Sequence, residues 1–210
     1  MNGNWNQSKV KKLVFSALMA ALVYAATMMI QIPSPMNGYV NLGDCFVLLS
    51  GWLLGPWYGA AAAGIGSMLT DLLSGYAHYA PGTLLIKGLD AMAAALIFRA
   101  LGKTKLGYLV SGLVGETIMV VGYFGYAGLM LGKGMAAALS IPGNIVQGVM
   151  GLAIGIVLAI TLEHTKVTNK LLACTDEKQE NLYRLQVLRL DIGAGAAAFC
   201  HVPGASGKTK

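Results

Sequence analysis

Apolar residues run along the chain in six blocks, separated by polar or glycine- and proline-bearing breaks. The blocks are residues 13–30, 40–54, 57–73, 84–101, 106–131 and 142–162. A helix that crosses a bilayer needs about 20 mostly apolar residues, with a range of about 17–25. Four blocks meet that length comfortably. Blocks 40–54 and 57–73 are marginal and are joined only by Gly55-Pro56, so a re-entrant hairpin over 40–73 is the rival to two separate spans. The first block follows a basic start, as a signal peptide would, but it leads into Pro33 and Pro35 rather than a small-residue cleavage site. It reads as a retained first span.

Positive charge orients these blocks, because short cytoplasmic loops carry the excess of Lys and Arg. Lys9, Lys11 and Lys12 precede the first block; Arg99, Lys103 and Lys105 follow the fourth; Lys166 and Lys170 follow the sixth. The loops 31–43 and 74–82 contain no Lys or Arg, and 132–141 holds only Lys133. An even number of crossings therefore separates the N-terminus from the 99–105 turn. The expectation is an all-α membrane protein: a six-transmembrane-helix bundle with both termini cytoplasmic. Residues 1–12 form a cytoplasmic segment, 13–165 a membrane substrate-binding domain, and 166–210 a polar, largely disordered tail.

Composition narrows the class. Of 210 residues, 56% are hydrophobic and only 11% charged, against about 25% charged in soluble domains. Residues 13–162 hold nine of the 24 charges, too few to clothe a water-soluble globule. Disorder needs low hydrophobicity and is excluded there. Three cysteines make no disulfide framework. The net charge of +6 is a topological signal; no run of five basic residues exists, and no nucleic-acid partner is expected.

The chemistry-bearing residues gather near the block ends. Tyr39, Asn41 and Asp44 precede and open the second block. Ser67 and Asp71 share a helical face at i, i+4, followed by Tyr76, His78 and Tyr79. The alternative reading makes Asn41 or Asp44 only a helix cap and the tyrosines only an interfacial belt. Lys87 and Asp90 lie one turn apart, either as an internal ion pair or as a functional pair. Glu116 has no charged neighbour in sequence and needs a partner from elsewhere. Asn144 and Gln147 lie at i, i+3. His78 has no second ligand at metal spacing, and no metal or cofactor is expected. No nucleophile-elbow, zincin or phosphate-loop motif is present, so the chain is read as no enzyme and as unable to hydrolyse ATP itself. Small residues recur four apart: Ala17, Ala21 and Ala25 on the first block, then Ala60/Gly64, Ala62/Gly66 and Gly151/Gly155. Such faces let helices approach closely in lipid.

These residues together resemble the substrate-binding S components of energy-coupling factor (ECF) vitamin transporters, in their riboflavin-transporter-like branch, over residues 9–165. The resemblance is carried by the Ala17-x-x-x-Ala21-x-x-x-Ala25 stripe, by Tyr39-Val40-Asn41-Leu42-Gly43-Asp44 with Leu53-Leu54-Gly55-Pro56-Trp57-Tyr58-Gly59-Ala60, and by Gly64-Ile65-Gly66-Ser67 with Asp71-Leu72-Leu73-Ser74-Gly75-Tyr76 and Tyr79-Ala80-Pro81. The six-helix plan is the fourth feature. The resemblance implies a subunit of the bacterial plasma membrane that captures a small heterocyclic vitamin or precursor (riboflavin, hydroxymethylpyrimidine or pyridoxine type) from outside. It also implies docking, through the alanine face, on a membrane coupling subunit driven by two ATPase subunits. The C-terminal extension is a departure that the family does not require.

A planar vitamin needs apolar walls, a stacking ring and a few aimed polar groups. Tyr39, Asn41, Asp44, Tyr76, Tyr79, Lys87, Glu116, Asn144 and Gln147 are the expected substrate-binding residues, with Tyr123 as a further ring; Asp71 is read as a brace for its own helix. Ala17, Ala21 and Ala25 are the expected docking residues. A structural or assembly membrane protein without ligand is the alternative, and a stand-alone secondary transporter the next.

Overall fold

A computed structural model describes residues 3–34 and 38–164; the tail 166–210 lies outside the described residues. Six α-helices form the bundle: α1 (Gly3–Met29), α2 (Asp44–Leu54), α3 (Pro56–Leu73), α4 (Ala80–Ala100), α5 (Lys105–Gly125) and α6 (Ile141–His164). A π-helical turn, Tyr126–Met130, prolongs α5, and a 3-10 segment, Gly134–Ser140, leads into α6.

The all-α expectation is corrected at one place. Between α1 and α2 the chain forms an antiparallel hairpin of β1 (Gln31–Ser34) and β2 (Gly38–Asn41), with Gln31 opposite Asn41 and Pro33 opposite Tyr39. The period of two along β2 puts Tyr39 and Asn41 on one face.

The helix in the second block is shorter than the block itself. Residues 40 and 41 belong to β2, and α2 is only 11 residues long. It rises about 16 Å at 1.5 Å per residue, about half of a hydrocarbon core near 30 Å. Eight of its residues are buried, and α1, α3, α4 and α6 all pack against it. Protein rather than lipid surrounds it, so its length need not match the bilayer. Among the described residues, four stretches are long and apolar enough to cross a membrane: Lys9–Met29, Ala80–Ala100, Lys105–Met130 and Gly134–His164.

The outer surface of the bundle is apolar. Leu13 is 65% exposed, Leu85 66% and Val157 63%, an arrangement that water would penalise and lipid accepts. On α1 the inward positions are Ser16, Met19, Val23 and Thr27, which follow the helical repeat. Close helix contacts depend on missing side chains. A Cβ on Gly66 would stand 2.5 Å from the Ala20 carbonyl oxygen of α1, and one on Gly64 2.6 Å from that of Leu84 in α4. The α2–α3 reversal uses Gly55 at φ +81° followed by Pro56 in the first turn of α3, the residue types each position favours.

The alternating helix directions sort the connections into two ends. The hairpin, the α3–α4 turn and the α5–α6 segment gather at one end. The α1 start, Gly55-Pro56 and the basic α4–α5 turn lie at the other. Near that second end, Trp52 packs edge-on to Tyr108 at 4.8 Å, Phe98 stacks on Tyr108 at 4.2 Å, and the Trp52 indole donates to Ser111 Oγ at 3.0 Å.

Candidate functional site

The first end holds a cleft. The hairpin supplies Tyr39 and Asn41, α3 supplies Asp71, and the α3–α4 turn supplies Tyr76 and Tyr79. Thr83 of α4, Tyr123 of α5, Ser140, and Asn144 and Gln147 of α6 complete the lining. The free volume is about 50 Å³, small beside the several hundred Å³ usual for a ligand pocket.

The walls are aromatic. The Tyr39 and Tyr76 rings lie 4.8 Å apart, and those of Tyr79 and Tyr123 6.4 Å apart. Lys133 reaches in from the α5–α6 connection and donates to the Tyr79 hydroxyl at 2.8 Å. Tyr126 donates to the His78 carbonyl oxygen at 3.0 Å, joining the same connection to the α3–α4 turn.

The floor is a relay of amides. Gln147 Oε1 accepts from the Asn41 backbone N–H at 3.0 Å and, more weakly, from Asn41 Nδ2 at 3.5 Å. Its Nε2 donates to Asp44 Oδ2 at 2.8 Å. Asp44 Oδ1 is paired with Lys87 Nζ, both side chains fully buried. Lys87 Nζ also lies 5.7 Å from the centre of the Tyr123 ring. The charged group below the floor is therefore joined to the cleft through Gln147 and Tyr123.

Six of the nine expected substrate-binding residues line the cleft: Tyr39, Asn41, Tyr76, Tyr79, Asn144 and Gln147. Asp44, Lys87 and Glu116 stand outside the lining. The expected alternative of an ion pair between Lys87 and Asp90 is corrected: Lys87 pairs across the bundle with Asp44 of α2. Neither carboxyl oxygen of Asp90 or of Glu116 accepts a hydrogen bond among the described residues. Glycines make their room. A Cβ on Gly115 would collide with Asp90, and one on Gly148 would stand 3.0 Å from Glu116 Oε2.

Thr83 and Ser140 line the cleft without having been singled out from sequence, since neither sits in a recognisable polar constellation. Asp71, read as a brace, faces the cleft instead. It is 3% exposed and stands in the last turn of α3, where the helix dipole disfavours a negative charge. The Tyr39 hydroxyl donates to its Oδ1 at 2.5 Å. Burial first, and the Asp71 charge second, hold the Tyr39 phenol well above its ordinary range, so it stays a donor. Among the described residues no cluster of three metal-ligating side chains exists. On the outside of α1, Ala17, Ala21 and Ala25 are all exposed, opposite the face that packs on the bundle.

A helical bundle with apolar flanks and one polar, ring-lined cleft defines a membrane-embedded solute-binding protein. Comparison with known proteins gives the family. The model of the family described as "ECF-type riboflavin transporter, S component" matches residues 7–164, and the chain belongs to that family. It is accordingly a vitamin-transport S component and not an enzyme. A protein of Lactococcus lactis subsp. cremoris described as "Thiamine precursor transporter HmpT" is 30% identical over 166 residues, 78% of this chain and 95% of that protein. A Pyrococcus woesei protein described as "Uncharacterized protein in gap 3'region" is 38% identical over 135 residues, 63% of this chain and 88% of that one. The solved structure described as "Structure and mechanism of the S component of a bacterial ECF transporter" shares the fold at a TM-score of 0.58 and 21% identity, covering 76% of this chain and 99% of that chain.

Proposed function

We propose that this chain captures a small heterocyclic vitamin or precursor from outside the cell and delivers it inward when docked on an ATPase-driven coupling module. The observation that carries the reading is the cleft itself: four tyrosines and three amide side chains converge at one end of the bundle, joined by Asp71, Thr83 and Ser140. Planar rings stack on such walls, and the amides fix orientation.

Charge supports an outward-facing cleft. The basic residues in the first turns of α1 and around the α4–α5 turn lie at the other end, the end that the positive-inside rule assigns to the cytoplasm. Six crossings with both termini inside follow, with α2 buried in protein instead of facing lipid. The place is the plasma membrane of a bacterium.

The small free volume supports a moving lid. A heterocycle seats only if the hairpin and the Tyr76–Tyr79 turn shift outward and close again over it. The exposed Ala17, Ala21 and Ala25 supply a flat face on α1 for the membrane coupling subunit, which two ATPase subunits drive. The Lactococcus relative is described as a thiamine precursor transporter, which favours a vitamin precursor over a flavin.

Isothermal titration of the purified chain with a panel of vitamins and their precursors tests the reading. Saturable binding of one heterocycle at nanomolar to micromolar Kd is expected. No binding across the panel would contradict it and favour an assembly role.

A further inference from the structure

The connection between α5 and α6 is apolar on both of its sides. Among residues 126–142 only Lys133 is charged, although connections that face water are ordinarily polar. The inner side packs on the α3–α4 turn. Ala127 and Ala137 are buried against Tyr79, Lys133 donates to the Tyr79 hydroxyl and lies 5.0 Å from the centre of that ring, and Tyr126 donates to the His78 carbonyl oxygen. The outer side shows Leu129 at 84%, Met130 at 76%, Met135 at 80% and Leu139 at 61% exposure. Water would penalise so many large apolar side chains on so short a segment.

Helix length says what covers them. About 20 helical residues cross a hydrocarbon core. Counted up α5 from Lys105, the core ends near Gly125. Counted back along α6 from Glu163, which accepts the Tyr108 hydroxyl near the basic end, it ends near Asn144. The connection therefore lies just past the core, at the depth of the headgroups and the first acyl carbons. Its exposed side continues the apolar flank made by Val121 of α5 and by Ile145, Val146 and Val149 of α6. The charge of Lys133 is turned inward to Tyr79, so the outer side offers apolar contact and not a cation for anionic headgroups.

We propose that the α5–α6 connection is seated in the bilayer leaflet at the cleft end, with Leu129, Met130, Met135 and Leu139 among the upper acyl carbons, and that this seat steadies the cleft rim formed by the α3–α4 turn. The partner is lipid of either headgroup charge. Interfacial segments bury their apolar face about 5–10 Å into the boundary between headgroups and chains, which matches the place of these four side chains.

Spin labels on the full chain test the seat. Cysteine replaces Leu129, Met130, Met135 or Leu139 one at a time, in a background carrying Cys45→Ala, Cys174→Ser and Cys200→Ser, reconstituted in phosphatidylcholine nanodiscs. At all four positions collisions with oxygen, which concentrates in lipid, should exceed those with a water-soluble nickel chelate several-fold, as for a label replacing Val157 and unlike one replacing Lys105. The same preference should hold in phosphatidylglycerol. Dominant nickel collisions, or a preference seen only in phosphatidylglycerol, would overturn the proposal. So would loss of both kinds of collision, or spin–spin broadening, which would mean cover by protein or by a second copy of the chain. Met130→Trp, read as the difference from wild-type fluorescence, gives an independent measure. Lipid brominated high on the acyl chain should quench it more than lipid brominated near the chain end, and the reverse order would contradict the depth. For the rim, Leu129→Gln combined with Met130→Gln should speed amide exchange at Tyr79 and Ala80 several-fold in nanodiscs. Unchanged exchange there would refute the hold on the α3–α4 turn.

Discussion

Gln147 of α6 donates from Nε2 to Asp44 Oδ2 of α2 at 2.8 Å, across 103 residues of sequence. The same side chain accepts from Asn41, so one amide ties the hairpin, the buried ion pair and the cleft floor together. Gln147→Ala removes all three links. Ligand affinity should fall by about 10-fold or more, the scale of one or two lost hydrogen bonds. Helical circular dichroism should be unchanged, because the α6 backbone contacts remain. Gln147→Glu should be worse, since it sets a second carboxylate against Asp44; a lower thermal midpoint than that of Gln147→Ala checks this.

Lys87 and Asp44 form a buried pair, and each depends on the other. Removing one partner leaves an uncompensated charge, a loss of about 3–5 kcal/mol in typical buried pairs. Lys87→Met and Asp44→Leu should each lower stability strongly, and the double variant should lose less than the sum. Denaturation of the four proteins in detergent measures the coupling. Additive losses would show that the pair does not interact.

The two small-residue faces of the bundle should separate cleanly. Gly66→Leu drives a side chain into the Ala20 backbone and should destabilise the fold by about 1–3 kcal/mol or more. Ala21→Trp points away from the bundle and should leave the thermal midpoint and ligand binding intact while abolishing uptake in cells. Normal uptake by Ala21→Trp would remove the docking role from that face.

Tyr76 packs at a tilt against Tyr39 in the cleft wall, ring centres 4.8 Å apart. Loss of one aromatic pair costs about 0.5–1.5 kcal/mol beyond its buried area. Tyr76→Ala should raise Kd by about 10-fold and speed ligand release, seen by stopped-flow displacement. Tyr76→Phe should retain most of the affinity, because the ring and not the hydroxyl carries the contact.

Local pattern was enough to place the helices. Apolar runs between glycine and proline breaks marked all six, to within a few residues for α3 and α6. The hairpin was illegible for a physical reason. Ile32-Pro33-Ser34 contains a proline with no N–H to give a ladder, and its pairing is set by neighbours such as Ser74, which accepts from Gln31 Nε2 at 3.1 Å. The length of α2 was hidden because a helix buried in protein is as apolar as one that faces lipid. The cleft residues were visible as polar positions at block ends, but their partners were not. Asp90 stood one turn from Lys87, yet the pair forms with Asp44, 43 residues away. Asp71 looked like a brace because nothing in its helix shows that Tyr39 of the hairpin would donate to it.

The central claim is that the ring-lined cleft binds one small heterocycle. Native mass spectrometry of the full chain, released from detergent after incubation with the vitamin panel, tests it most directly. The account predicts a single adduct at one molecule per chain, retained by Ala21→Trp and lost in the double variant Tyr76→Ala with Gln147→Ala. A wild-type spectrum with no adduct, or an adduct that survives the double variant undiminished, would contradict it.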